Sequence, residues 1–203
     1  MLCTVITFKK EKLGFSGPSL KKNNIAYTIN VEHITYKDAF LHDLLHKFLK
    51  KMIYQSYLET SVGFLRLLSN GKQLYHVHFQ EHSGPEDPDQ ITEWTRTQLT
   101  EYFNGTRTSF NIPLFLDGSE FESRVWSALQ EIPYGTTTSY KLLAQQIDRP
   151  KAMQAVGSAN GRNPIAIIVP CHRVIGHDGD LKGYAGGIER KKWLLKHENS
   201  LLV

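Results

Sequence analysis

Cys171, in the tetrapeptide Pro170-Cys171-His172-Arg173, carries the most nucleophilic group of the second half of the chain. A thiol attacks carbon only as its thiolate, which forms at neutral pH with the help of a base or a nearby cation. His172 follows directly and Glu198 lies near the C-terminus, so a nucleophile, a base and a carboxylate to orient that base are all at hand. Adjacent side chains on an extended segment diverge, which puts a water between His172 and the thiol on this reading. Cys171 falls where the apolar run Ile165-Ala166-Ile167-Ile168-Val169 gives way to Gly176-His177-Asp178-Gly179, a junction at which a side chain can face a pocket. A free cysteine is more often a small buried hydrophobe, and on position alone both readings stay open.

The other cysteine, Cys3, is remote, and neither has C-x-x-C or Cys/His ligand spacing. That argues against a disulfide framework and a structural zinc site, and fits a reducing compartment. With no dinucleotide or phosphate loop and no metal-ligand set, no cofactor and no metal are expected. The 203 residues, 40% hydrophobic and 22% charged, have an ordinary globular composition with room for two modest domains. The formal charge of +4 is uneven: residues 1–52 hold 9 Lys/Arg against 4 Asp/Glu, residues 53–116 hold 4 against 7, and residues 117–203 hold 11 against 9. By charge alone, only the N-terminal segment suggests an acidic partner. Lys9 and Lys10 follow the first apolar residues, the reverse of a secretory signal, and no run approaches the roughly 18 apolar residues of a membrane span. A cytoplasmic protein, nuclear if eukaryotic, is expected.

Several elements must position these residues. Within residues 1–52, which precede the domains as an extension of unassigned role, Phe40, Leu41, Leu44, Leu45, Phe48 and Leu49 have helical spacing. From Tyr57 to Phe79 the alternation is that of strands, with Asn70-Gly71 as the positive-φ turn of a hairpin. Residues 82–89 read as a loop; Ile91, Trp94, Leu99, Tyr102 and Phe103 mark a helix that Gly105 ends. This gives an α/β domain over 53–110 and a linker over 111–118. The domain over 119–203 reads as mostly helical. Ser119-x-x-Glu122 opens one helix as a capping box, Ser139 caps a second, and a third runs from Lys151 to about Asn160 with many small residues. The last two make a helix-turn-helix candidate. Ile165–Val169 reads as a buried strand, and a final helix spans Ile188 to His197.

Pro170-Cys171-His172-Arg173-Val174-Ile175-Gly176 resembles the active-site signature of the O6-alkylguanine-DNA alkyltransferases, the methylated-DNA–protein-cysteine methyltransferases. Three flanking blocks resemble that family as well: Ile132 to Tyr140, Ala155 to Pro164 and Gly183 to Gly187. The resemblance covers about residues 54–200 and is most specific in the second half. It implies a ribonuclease-H-like α/β domain followed by a helix-turn-helix domain that holds the active site. It further implies irreversible transfer of an alkyl group from O6-alkylguanine, less so O4-alkylthymine, to the protein's own cysteine, one lesion per molecule. The partner is then double-stranded DNA carrying the lesion, with no membrane, and the protein a monomer.

By match of motif, Cys171 is the acceptor, His172 the base, Glu198 its orienting carboxylate, Asn163 the brace of that network and Tyr140 the proton donor. Tyr184 and Ala185 line the base pocket, with carbonyls near Cys171 and Val174 reading the guanine amine. Gln154, Ala155, Gly157, Arg162 and Arg173 complete the expected DNA-facing set. The family's helix arginine, which fills the space of the flipped base, is replaced here by Gln154, and Ala185 replaces a serine found in some members. Three other functions compete. A binding-only relative would lack Cys171, and a cysteine hydrolase would need an oxyanion hole for which no motif is visible. A helix-turn-helix regulator without chemistry is a third.

Overall fold

The computed structural model describes residues 53–181 and 183–200; the helical spacing at 40–49 and Cys3 lie outside them. In the first part, β1 (Tyr54–Thr60), β2 (Gly63–Ser69) and β3 (Leu74–Gln80) form an antiparallel sheet in the order β1-β2-β3. The expected hairpin is β2–β3, in which Phe64 pairs with Gln80 and Leu68 with His76. The Asn70 carboxamide accepts from the amides of Lys72 and Gln73, and Gly71 takes φ +85. Leu65 and Leu67 of β2 point to one face and are fully buried, as period-two alternation requires. Sequence spacing began the strands at Tyr57; β1 starts three residues earlier and pairs with β2 along its whole length.

Helix α1 (Gln90–Phe103) covers this sheet. Asp89 caps it reciprocally with Thr92, and Ile91, Thr95, Leu99 and Tyr102 recur at helical spacing on its buried side. The connection that follows is not a loose tether. Ile112 is buried, and Leu114 pairs with Leu74 at the edge of β3 through Leu74 N to Pro113 O (2.8 Å) and Phe115 N to Leu74 O (2.8 Å).

The second part holds α2 (Glu120–Gln130), α3 (Tyr140–Gln146), α4 (Met153–Gly161) and α5 (Ile188–His197), making five helices among the described residues. The Ser119/Glu122 capping box forms as expected. Ser139 caps α3 by accepting from Leu142 N, and Trp126 of α2 donates its indole N–H to Ala159 O of α4 at 3.0 Å. A two-residue parallel ladder, β4 (Thr138–Ser139) on β5 (Val174–Ile175), places the start of α3 beside the segment after Cys171.

One element differs from its sequence reading. Ile165–Val169 is no strand but a compact coil, in which Ile165 alone pairs with Val77 of β3. Ile167 sits at φ +70, a costly conformation for a β-branched residue, and Val169 N closes back onto Ile165 O at 3.0 Å. A continuous apolar run reports burial, not period, and this coil is buried without neighbours on both sides. Its anchor to the sheet is Pro164 O, which accepts from Val77 N (2.9 Å) and His76 Nδ1 (2.7 Å).

Candidate active site

The coil delivers Pro170 into a short 3-10 turn, Cys171–Arg173, so these three residues are not extended as the sequence suggested. All three are buried, Cys171 with 5% exposure. The turn aims its side chains at different partners. Asn163 Nδ2 lies 3.0 Å from Cys171 Sγ and also donates to Val169 O at 2.7 Å, so one amide fixes both the coil and the thiol. Asn160, at the end of α4, donates to Cys171 O.

Behind the thiol, His172 Nε2 donates to Glu198 Oε1 at 2.8 Å. Its Nδ1 has no protein partner among the described residues and is free to take a proton. Glu198 caps the C-terminus of α5 and is almost fully buried. Arg173 grips it with two bonds, Nε to Oε2 (2.8 Å) and Nη2 to Oε1 (3.0 Å), and donates a third to Ile132 O. Tyr102, from α1 of the first part, donates its hydroxyl to the same Oε1 at 2.7 Å. Burial alone would raise the Glu198 carboxyl, but the bonds from His172 and Arg173 outweigh it and hold it at about 2. A buried charge so well supplied with donors is tolerated.

Burial pushes the Cys171 thiol up to about 11, against the Asn163 bond and the charge of Lys191, which pull it down. Lys191 is fully buried, donates to Val174 O at 2.6 Å, and is itself brought down to about 8, mainly by burial. Burial also lowers His172 below its usual range, which keeps the ring neutral and able to accept a proton. The phenols of Tyr140 and Tyr184 are both raised, first by burial and then by proximity to Cys171, and so stay protonated. Tyr140 donates to Gly183 O at 3.4 Å.

The structure thus gathers Cys171, His172, Asn163 and Glu198 into one network, with Tyr140 and Tyr184 within electrostatic reach. Arg173, expected to face DNA, is instead buried, because its guanidinium is the counter-charge of Glu198. Val174 is also buried and its carbonyl already accepts from Lys191. Gln154 and Ala155 lie exposed on α4; Gln154, Gly157, Tyr140 and Met153 line a cleft of about 290 Å³. Arg162 is exposed at the C-cap of α4 and paired with Glu122 at 2.6 Å. Ala185 is exposed.

Sequence reasoning missed Lys191, Tyr102 and Asn160. A signal for Lys191 existed: Lys191, Leu194, Leu195 and Glu198 fall at i, i+3, i+4 and i+7, which puts two ionisable groups on one buried helix face.

Mixed α/β architecture in two parts, with a buried cysteine held by Asn163 in the second, defines the class to which the comparisons also point. The ribonuclease-like domain of 6-O-methylguanine DNA methyltransferase matches residues 53–116, and the DNA-binding domain of the same family matches 120–200. The methylated-DNA–protein-cysteine methyltransferase of Methanosarcina barkeri is 43% identical over 159 residues, 74% of this chain and 99% of its own. That of Mycobacterium bovis is 46% identical over 158 residues, 73% and 94% of the two chains. The crystal structure of Mycobacterium tuberculosis O6-methylguanine methyltransferase superposes with a TM-score of 0.67 at 45% identity, covering 73% of this chain and 94% of its own. A complex of the protein from that organism with DNA gives 0.66 at 47% identity, covering 71% and 91%. The chain belongs to the methylated-DNA–protein-cysteine methyltransferase family.

Proposed function

We propose that this protein repairs alkylated DNA directly, moving the alkyl group from O6-alkylguanine, and less readily O4-alkylthymine, in duplex DNA onto Cys171. The observation that carries the reading is the thiol held at 3.0 Å by Asn163 in front of the buried His172–Glu198 pair, in a chain whose two parts both match the family.

The thiol proton leaves through a bridging water to His172 Nδ1, and Glu198 stabilises the imidazolium that results. Lys191 and Asn163 favour the thiolate that remains. Sγ attacks the alkyl carbon in line; the S–C bond forms as the C–O6 bond breaks, and the electron pair passes to the guanine ring. Tyr140 donates its phenolic proton to that ring, because a neutral base leaves more easily than an anion. The product thioether is not hydrolysed by water, so each molecule acts once. No cofactor and no metal take part.

On this reading α3 and α4 act as a helix-turn-helix, and 119–203 is the catalytic domain, 53–110 the ribonuclease-H-like domain, 111–118 their connection and 1–52 an extension before the repair unit. The small residues of α4, exposed Ala155 and half-buried Gly157, let this helix of the monomeric protein enter the minor groove, and Gln154 stands where the flipped base leaves its gap. Tyr184, Ala185 and the Val174 carbonyl hold the base, and Arg162 approaches phosphate. Among the described residues no helix is long and apolar enough to cross a membrane, and a cytoplasmic or nuclear site of action follows from the substrate. Cys171→Ala tests the function: alkyl transfer is abolished while duplex binding stays within a small factor, and transfer that persists overturns the assignment.

A further inference from the structure

The loop Gly183–Gly187 carries Tyr184 and Ala185, and its own backbone does little to fix its shape. Gly183 and Gly187 both occupy the left-handed region, at φ +59 and +92, and the turn holds one internal bond, Gly187 N to Tyr184 O at 3.0 Å. Its position is therefore set from outside. Tyr140 holds one end at Gly183 O. The other end is held by Arg190, in the first turn of α5, whose Nη1 donates to Gly186 O at 3.0 Å. The same guanidinium donates through Nε to Val62 O at 2.8 Å, in the turn between β1 and β2, and lies 4.8 Å over the Phe79 ring of β3. Gly63 leaves the guanidinium its space, since a Cβ there would stand 3.0 Å from Nη2. Gly186 is pressed between rings: a Cβ on it would meet Tyr184 at 2.7 Å and Phe79 at 2.8 Å.

We propose that Arg190 is a positioning residue that sets alkyl-group selectivity, by latching the base-pocket loop to the β1–β2 turn and β3 of the ribonuclease-like domain. The inference rests on the proposed function, in which that loop walls the site of the extruded base. One contact of the planar guanidinium is to the loop and two are to the β1–β2 turn and β3, so the Gly186 carbonyl is held against that domain while all three are engaged. A pocket so held is cut for a small substituent. Released at Gly186 O, a glycine-rich wall gives way, and a bulkier substituent gains more than a methyl group.

Arg190→Met tests this, because it keeps the aliphatic stem and removes both hydrogen bonds and the charge. Single-turnover transfer is measured on two duplexes of one sequence, carrying O6-methylguanine or O6-benzylguanine, so that DNA affinity and the folded fraction cancel in the ratio. The benzyl-to-methyl rate ratio is expected to rise by about tenfold, the scale on which a hydrophobic pocket discriminates by size. Arg96→Met, at an arginine paired with Glu86 and Glu93 on α1, should leave the ratio at the wild-type value. An unchanged ratio in Arg190→Met, whether both rates fall together or hold, overturns the latch, as does an equal rise in Arg96→Met. Wild-type protein that alkylates itself from neither duplex refutes the proposed function instead.

Discussion

A thiol held at about 11 is protonated at neutral pH, so the resting Cys171 is inert and the reaction depends on the groups around it. If His172 removes the proton and Glu198 steadies the result, His172→Ala and Glu198→Gln slow single-turnover transfer at pH 7, and the loss shrinks as pH rises toward the thiol's own value. A loss independent of pH would mean that both side chains serve structure alone. Lys191 helps only while charged, which with its value of about 8 means below that pH. Lys191→Met is therefore expected to slow transfer roughly tenfold at pH 7, the scale of one pKa unit of lost thiolate stabilisation. The gap from wild type should narrow above pH 8, where the wild-type lysine is also neutral. A constant gap across that range would show that the charge is irrelevant.

At the scale of elements, what the sequence revealed depended on how local each cause is. The Ser119/Glu122 capping box, the Ser139 cap and the span of α5 are set by residues a few positions apart, and they formed where expected. The Ile165–Val169 coil did not, since its shape comes from Asn163, from the bond of Pro164 to β3 and from the strained φ of Ile167, none of which the apolar run reveals. Cys171, His172 and Glu198 were legible through the motif and through chemistry. Arg173 was misplaced because nothing local shows that the buried Glu198 needs a cation, and Tyr102 was missed because its partner is 96 positions away. The Tyr102 bond to a buried carboxylate makes Tyr102→Phe destabilising by about 2 kcal/mol in urea unfolding, as for hydrogen bonds to charged groups. Gln154 tests the placement of α4: Gln154→Arg, which can fill the vacated stack, should raise the rate on duplex DNA while barely changing that with free O6-benzylguanine. Rates that move together, or not at all, would remove α4 from the minor groove.

For the whole molecule, one carboxylate ties helix α1 to the turn that carries the nucleophile, so acid should loosen both parts at once. Glu198 ionises at about 2 when folded against 4.5 as a free side chain. A depressed value contributes stability above 4.5 that is lost as pH falls toward 2, about 3 kcal/mol in all. His172, lowered by burial, acts in the same direction from about pH 6.5 downward. Urea unfolding should thus show stability declining below pH 6.5 and steeply below 4.5, and Glu198→Gln should flatten the lower limb. A wild-type profile level from pH 6 to 3 would contradict this. The central claim, that the protein takes an alkyl group onto its own cysteine once and keeps it, is tested most directly by intact-protein mass spectrometry after incubation with excess O6-methylguanine duplex. One added methyl group per chain, mapping to Cys171 and not increasing with time, is the expected result. An unmodified protein, a methyl group on another residue, or turnover beyond one equivalent would contradict it.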